Sequence, residues 1–194
     1  MDKVKFRLKE GSCIGNYRVI KRIGSGCTAE AYLVNEIPTS AERVLKLYER
    51  FEDKQQIKNL RDFEHYCWFL EQISHVGLLP RYHHMGHTFL WDNDGIGHYY
   101  MVQEYLQGAK YSLRKKYSED IVREFRNKVA DINALGYGLG DMTDENFLIV
   151  SQQIRMVDCD YGSHDKPNQN TKADAKQIDR RFGVGYGAPK TSVV

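Results

Sequence analysis

The sequence has no paired cysteines, no long apolar run and no strong excess of either charge, and each absence removes a class of protein. Its four cysteines (Cys13, Cys27, Cys67 and Cys159) are scattered with no C-x-x-C pair. That argues against a disulfide framework or a zinc site and suits free thiols in a reducing compartment. No apolar stretch reaches the ~20 residues a membrane-spanning helix needs. The opening MDKVKFRLKEG has no apolar signal-peptide centre. A net charge of +2 gives no electrostatic case for nucleic acid or a membrane surface. The densest basic patch, Arg114-Lys115-Lys116, is a short solvated face. There is no internal repeat or low-complexity segment. At 194 residues the chain suits one compact domain or two small lobes sharing a cleft.

Within those bounds the chain alternates strands and helices. Residues 1–16 form a polar lead-in with an early strand. Residues 17–23 (YRVIKRI) predict a strand that runs into Gly24-Ser25-Gly26-Cys27-Thr28-Ala29 and returns as a strand over 30–35. Gly24 and Gly26 allow this turn a close backbone approach, and its N–H groups could cradle a phosphate; an ordinary hairpin turn is the competing interpretation. Residues 43–48 (RVLKLY) alternate as a strand carrying Lys46. Leu60, Phe63, Cys67, Leu70 and Ile73 recur at helical spacing and predict one amphipathic helix over 53–74, with Glu64 bordering its apolar stripe. Residues 80–87 predict a loop in which His83, His84 and His87 lie close together without an obvious fourth metal ligand. Strands over 88–91 and 98–105 flank Asp92-Asn93-Asp94-Gly95, which lacks the ligand spacing of a calcium loop and is taken as a hairpin turn. A helix follows over 118–135, with Ser118 and Glu119-Asp120 at its start and Ile121, Phe125, Val129 and Ile132 on one face. After a polar, turn-rich stretch, a short helix is predicted over 172–182, then a Gly-rich tail, GVGYGAPKTSVV.

The densest chemistry lies in residues 138–160, GLGDMTDENFLIVSQQIRMVDCD. Asp141 is followed five residues later by Asn146, then an apolar run 147–150, the polar turn Ser151-Gln152-Gln153, and a second apolar run ending on Asp158. Two short strands joined by a tight turn bring Asn146 and Asp158 to one end of a hairpin. Oxygen ligands brought together there suit Mg²⁺, and a further acid nearby can take a proton.

Taken in order, the glycine hairpin, the V-x-K strand with Lys46, a helix with Glu64, the strand into YMVQEYLQG, a helix, D-x-x-x-x-N and a strand ending in Asp resemble the protein-kinase fold over about residues 17–160. The resemblance implies an α+β, two-lobed kinase-like fold with a truncated C-lobe. The N-lobe would span 1–104 and the reduced C-lobe 105–194. It also implies ATP and Mg²⁺ as cofactors. Gly24 and Gly26 would cover the phosphates, Lys46 would contact them and be held by Glu64, and Asp141 would be the catalytic base. Asn146 and Asp158 would hold the metal. The backbone of Glu104 and Leu106 would meet the adenine, with Gln103 behind it.

Several positions depart from the kinase pattern. The third glycine of the loop is Ala29. H-R-D has become Leu139-Gly140-Asp141, and the lysine two residues after the base is Thr143. D-F-G has become Asp158-Cys159-Asp160; Asp158 is preferred as the metal ligand because Ile154, Met156 and Val157 precede it, and Asp160 is its competitor. Only some 34 residues follow Asp160, with no A-P-E segment. This shortening is similar to the minimal kinases delivered by bacterial type III secretion, the OspG, NleH and HopBF effectors. The ending DAKQIDRRF, residues 174–182, resembles the terminal helix of the OspG group. The resemblance implies a Ser/Thr-type kinase, secreted without a cleaved signal peptide, that acts as a monomer in the host cytoplasm on a host protein such as a chaperone or ubiquitin-conjugating enzyme. Two other functions share the motifs: a small-molecule kinase of the aminoglycoside or sugar type, and a pseudokinase-like module that binds a host partner without chemistry.

Overall fold

The computed structural model describes residues 7–26, 29–48, 54–89, 97–111, 117–159 and 167–182. Six antiparallel strands build the first sheet: Cys13–Ile14 (β1), Tyr17–Ser25 (β2), Ala29–Glu36 (β3), Ala41–Tyr48 (β4), Tyr82–Phe89 (β5) and Gly97–Glu104 (β6), in the order β1-β2-β3-β4-β6-β5. The register pairs Tyr32 with Leu45 and Leu45 with Val102. Because side chains alternate with a period of two, these residues share one face with Val34, Leu47 and Tyr100. Ile14, Tyr17 and Val19 join them in a buried cluster. Ala31, Lys46 and Met101, each one residue out of phase, take the opposite face. The helix Lys54–Gln72 (α1) packs on that second face: the Phe63 ring lies edge-on to Tyr48 at 4.8 Å and against Tyr99 at 5.8 Å.

A second sheet joins Ala109–Lys110 (β7), Phe147–Val150 (β8) and Gln153–Met156 (β9), in the order β7-β8-β9. The helices Glu119–Ala134 (α2) and Pro167–Phe182 (α3) accompany it. Ser118 caps α2, its Oγ accepting from the Ile121 N–H at 3.4 Å, with Glu119 and Asp120 in the first turn where the helix dipole favours anions. Val122, Phe125, Val129 and Ile132 form the buried stripe; Val122 rather than the expected Ile121 faces inward, and Ile121 is half-buried. Phe125 meets Phe147 edge-to-face at 5.5 Å, fastening α2 to β8.

The chain divides into two compact units, one of Met1–Glu71 with Arg81–Tyr105 and one of Gln72–Pro80 with Leu106–Val194. The expected first lobe, 1–104, therefore loses residues 72–80 to the second unit. The reason is local: the Met156 N–H donates to the Leu78 carbonyl at 3.0 Å, and the Arg155 guanidinium donates to the carbonyls of Leu78 and Leu79 at 3.2 and 2.9 Å.

Two further expectations are corrected. Residues 80–87 are not a loop: β5 runs Tyr82–Phe89 and pairs with β6, which overrides the weak strand propensity of its His, Met and Gly residues. The last helix begins at Pro167, five residues before the expected start, since proline's fixed φ and missing N–H suit the first helical position. The Asp92–Gly95 turn, the basic patch 114–116, Cys27, Asp160 and the tail 183–194 lie outside the described residues. Among the described residues no helix is long and apolar enough to cross a membrane.

Candidate active site

In the second unit the chemistry gathers on the segment from Leu139 to Asp158. Gly140 (φ 53°) and Asp141 (φ 25°) are both left-handed, a conformation open to glycine and costly for most other residues. Three side chains spaced along α3 hold this segment in place. Asp174, 1% exposed, accepts from the Leu139 N–H at 2.9 Å and the Gly140 N–H at 3.2 Å. Gln177 Oε1 accepts from the Met142 N–H at 3.3 Å. Arg181 pairs with Asp144, and its guanidinium stands 5.8 Å over the Phe147 ring. Positions 174, 177 and 181 lie on one helix face, so a single stripe contacts the segment at three successive points. Burial pushes the Asp174 carboxyl above its ordinary range, and the two backbone N–H donors pull it back only in part.

This backbone sets the geometry of Asp141 and Asn146. The Thr143 N–H donates to the Asp141 carbonyl at 2.8 Å, and a 3₁₀ turn over Asp144–Asn146 brings Asn146 round. Asn146 Nδ2 then donates to both the Asp141 carbonyl and Asp141 Oδ2, each at 2.9 Å. The acid is thereby oriented while its side chain stays exposed.

The β8–β9 hairpin turns through two residues, Ser151 (φ 48°) and Gln152 (φ 65°), one fewer than expected; two positive φ values match the twist of a tight hairpin. Phe147 pairs with Met156, and the Val157 N–H donates to the Asn146 carbonyl at 2.8 Å. The ladder thus continues to Asn146, and Asp158 emerges from the strand at the same end. Asp158 is exposed, and its Oδ1 accepts from the Cys159 N–H at 3.1 Å. Asp141, Asn146 and Asp158 are brought together; Asp160 lies outside the described residues.

These donors fit Mg²⁺. Amide and carboxylate oxygens are hard ligands, and Mg²⁺ is held by one or two carboxylates with substrate phosphates completing its shell. Among the described residues no group of three His, Cys, Asp or Glu forms a self-sufficient metal site, the histidines of β5 included.

The first unit holds the remaining candidates. Gly24, Ala31, Lys46 and Met101 form one row across four strands. Two strand spacings of about 4.8 Å put Gly24 and Lys46 roughly 10 Å apart. Gly24 and Ala31 are the small members of this row beside the buried Lys46. The Gly26 N–H donates to the Ala29 carbonyl at 2.8 Å, closing the hairpin as far as the described residues reach. Gln103 is buried behind the row. The Glu104 N–H donates to the Arg81 carbonyl at 2.8 Å, and the division between the units falls just before Leu106, itself buried. Glu64 lies exposed on α1, and among the described residues no ion pair joins it to Lys46. Phe63 takes the inward direction, and the next residue on a helix points about 100° away.

Sequence reasoning did not single out Asp174, Gln177 or Arg181 as site residues. Their i, i+3, i+7 spacing was visible, and Asp174 shares its stripe with the buried Ile178.

No family profile and no curated protein sequence matches the chain. Solved structures do. The kinase domain of PknI from Mycobacterium tuberculosis is similar at 16% identity, with a TM-score of 0.65 over 91% of this chain and 74% of that one. A variant of the same domain gives 18% identity and a TM-score of 0.58, covering 79% of this chain and 63% of that one. A Plasmodium kinase domain gives 16% identity and a TM-score of 0.61, covering 80% and 54%. The chain thus spans between 54% and 74% of the length of these domains. At such identities the likeness concerns fold alone, and the fold is that of a protein-kinase domain over the part covered.

Proposed function

We propose that this chain is an ATP-dependent protein kinase that transfers the γ-phosphoryl group of Mg-ATP to a serine or threonine hydroxyl of a host protein. The observation that carries the proposal is the double hydrogen bond from Asn146 Nδ2 to Asp141, at the end of the hairpin from which Asp158 emerges. It supports an oriented acid beside oxygen donors, which phosphoryl transfer requires. Asp141 accepts the acceptor hydroxyl's proton as that oxygen attacks phosphorus; the bond to the bridging oxygen breaks and ADP leaves. Lys46 meets the nucleotide's phosphates and the turn of Gly24 and Gly26 covers them. The carbonyl of Glu104 and the N–H of Leu106 meet the adenine edge. Asn146 and Asp158 would hold Mg²⁺, which when bound would neutralise phosphate charge. Asp141 is exposed, which suits a macromolecular acceptor.

We further propose that it works as a bacterial effector, a monomer in a host cytoplasm. The support for this is the resemblance of residues 174–182 to the terminal helix of the OspG group; Asp174, Gln177 and Arg181 of that stripe also hold the segment that carries Asp141. A chaperone or a ubiquitin-conjugating enzyme is the proposed class of host substrate. One observation favours a binding module without chemistry instead: the exposed Glu64, apart from Lys46. Incubation with γ-labelled ATP and host-cell lysate decides between them. A labelled host protein, absent when Asp141→Ala is used, supports the kinase; retention of host proteins by the unlabelled chain without transfer supports the module.

A further inference from the structure

Glu30 is 3% exposed, an unusual place for a carboxylate. It lies in phase with Tyr32 and Val34, on the apolar face of the sheet, where an ionised group needs partners. Two residues of β2 supply them. The Arg22 guanidinium donates to both carboxylate oxygens, through Nε to Oε2 and through Nη2 to Oε1 at 3.2 Å, and the Ser25 hydroxyl donates to Oε1 at 2.7 Å.

Arg22 and Ser25 are three residues apart, so in a regular strand they would point to opposite faces. The register explains why they do not. Arg22 pairs with Tyr32 and Gly24 with Ala31, two steps on β2 against one on β3. This bulge around Ile23 shifts the parity of the strand and brings Ser25 to the side Arg22 already occupies. Glu30 stands opposite Leu47, whereas Ala31 stands opposite Lys46. The clasp is therefore on the sheet face away from Lys46 and cannot touch a ligand on the lysine's side. It acts on the backbone of Gly24-Ser25-Gly26.

We propose that Glu30, clasped by Arg22 and Ser25 across a β-bulge, is a positioning residue that holds the glycine turn in the conformation its N–H groups need to meet nucleotide phosphates. This rests on the kinase proposal above. A turn of two glycines is otherwise free to sample many conformations, and fixing it beforehand removes an ordering cost from binding.

The test compares wild type with Glu30→Gln, which keeps the shape and removes the charge, by titrating Mg-ATP and adenosine separately and measuring KM for ATP against kcat. Mg-ATP should bind about tenfold more weakly, with KM rising in step, while adenosine affinity and saturated kcat change less than about twofold. Unchanged Mg-ATP binding overturns the inference, as does a parallel loss of adenosine, which would mean general disruption. If Glu30→Gln does not fold, Ser25→Ala removes one hydroxyl and should show about a threefold loss with the same selectivity. Wild type that binds neither ligand overturns the kinase proposal instead. Amide exchange then judges the clasp alone: Gly24 and Gly26 should exchange faster in Glu30→Gln while α2 keeps its protection, and unchanged exchange rejects the clasp.

Discussion

Replacing Asp174 by alanine is the perturbation whose consequences the structure lets one work out most fully. The side chain is 1% exposed and accepts two backbone N–H groups, one from the fully buried Leu139. Alanine strands both donors. A buried donor left without a partner costs about 1–3 kcal/mol. Removing a carboxylate that burial disfavours returns part of this, as its raised pKa indicates. A net loss of about 2–4 kcal/mol is therefore expected, a large share of the roughly 5–15 kcal/mol that holds a domain folded. The second consequence is catalytic. Asp141 sits at φ 25°, a conformation costing on the order of 1–2 kcal/mol. Without the acceptor beneath Leu139 and Gly140 that strain can relax, and a displacement of the base by about 1 Å can cost ~10²-fold in rate. Urea unfolding gives the first quantity, and initial rates of phosphotransfer under conditions where the variant remains folded give the second. Asp174→Asn should fall between, since the two N–H groups use different carboxylate oxygens and the amide replaces one of those oxygens with an NH₂ donor. A destabilised Asp174→Ala that transfers phosphate at the wild-type rate would refute the positioning role; one with unchanged stability would refute the hydrogen-bond account.

The remaining predictions concern metal, pH and regulation. Asp158→Ala should abolish Mg²⁺-dependent activity while Asp160→Ala retains it, because Asp158 emerges beside Asn146; the reverse result would shift the register by two residues. Asp174 has its folded pKa raised above the ordinary value of 3.8, so the native state binds this proton more tightly than the unfolded chain. Its contribution is complete below the unfolded value and is lost as pH rises through the folded one. The stability of wild type relative to Asp174→Asn should fall as pH rises from about 4, and a flat difference would count against the burial. Activity should not require activation-loop phosphorylation, because Gly140 stands where many kinases carry a phosphate-reading arginine and Thr171 lies within α3. Phosphatase treatment or a Ser163→Ala/Thr171→Ala double variant should leave the rate unchanged; a large loss restored by rephosphorylation would contradict this.

What could be read from the residues follows from how local each signal is. The Ser118 cap and the stripe through Phe125, Val129 and Ile132 define α2 within its own sequence, and the structure places it there. The hairpin carrying Asn146 and Asp158 is likewise local, needing only two apolar runs and a turn. β5 is not legible in its own residues because its identity as a strand resides in β6, the partner it pairs with. Pro167 stands among polar residues that predict a turn, although proline there opens the helix. Glu30 stood in the apolar phase of AEAYLVNE, a visible sign that it is buried with partners, but the partners depend on a bulge that composition does not reveal. Asp174 acts across 34 or 35 residues of chain, and its role emerges only when α3 and the Leu139–Gly140 backbone are seen in contact. Glu64 borders the apolar stripe in sequence yet points outward, because Phe63 takes the place against the sheet.

The central claim is that Asp141 is the base of a phosphoryl transfer and not merely a turn residue capped by Asn146. It is tested most directly by Asp141→Asn, measured for Mg-ATP affinity and for single-turnover transfer to a labelled host protein in the same preparation. Affinity should remain within a few-fold of wild type while the transfer rate falls by ~10²–10⁴. Transfer at the wild-type rate by a variant that still binds Mg-ATP would contradict the account.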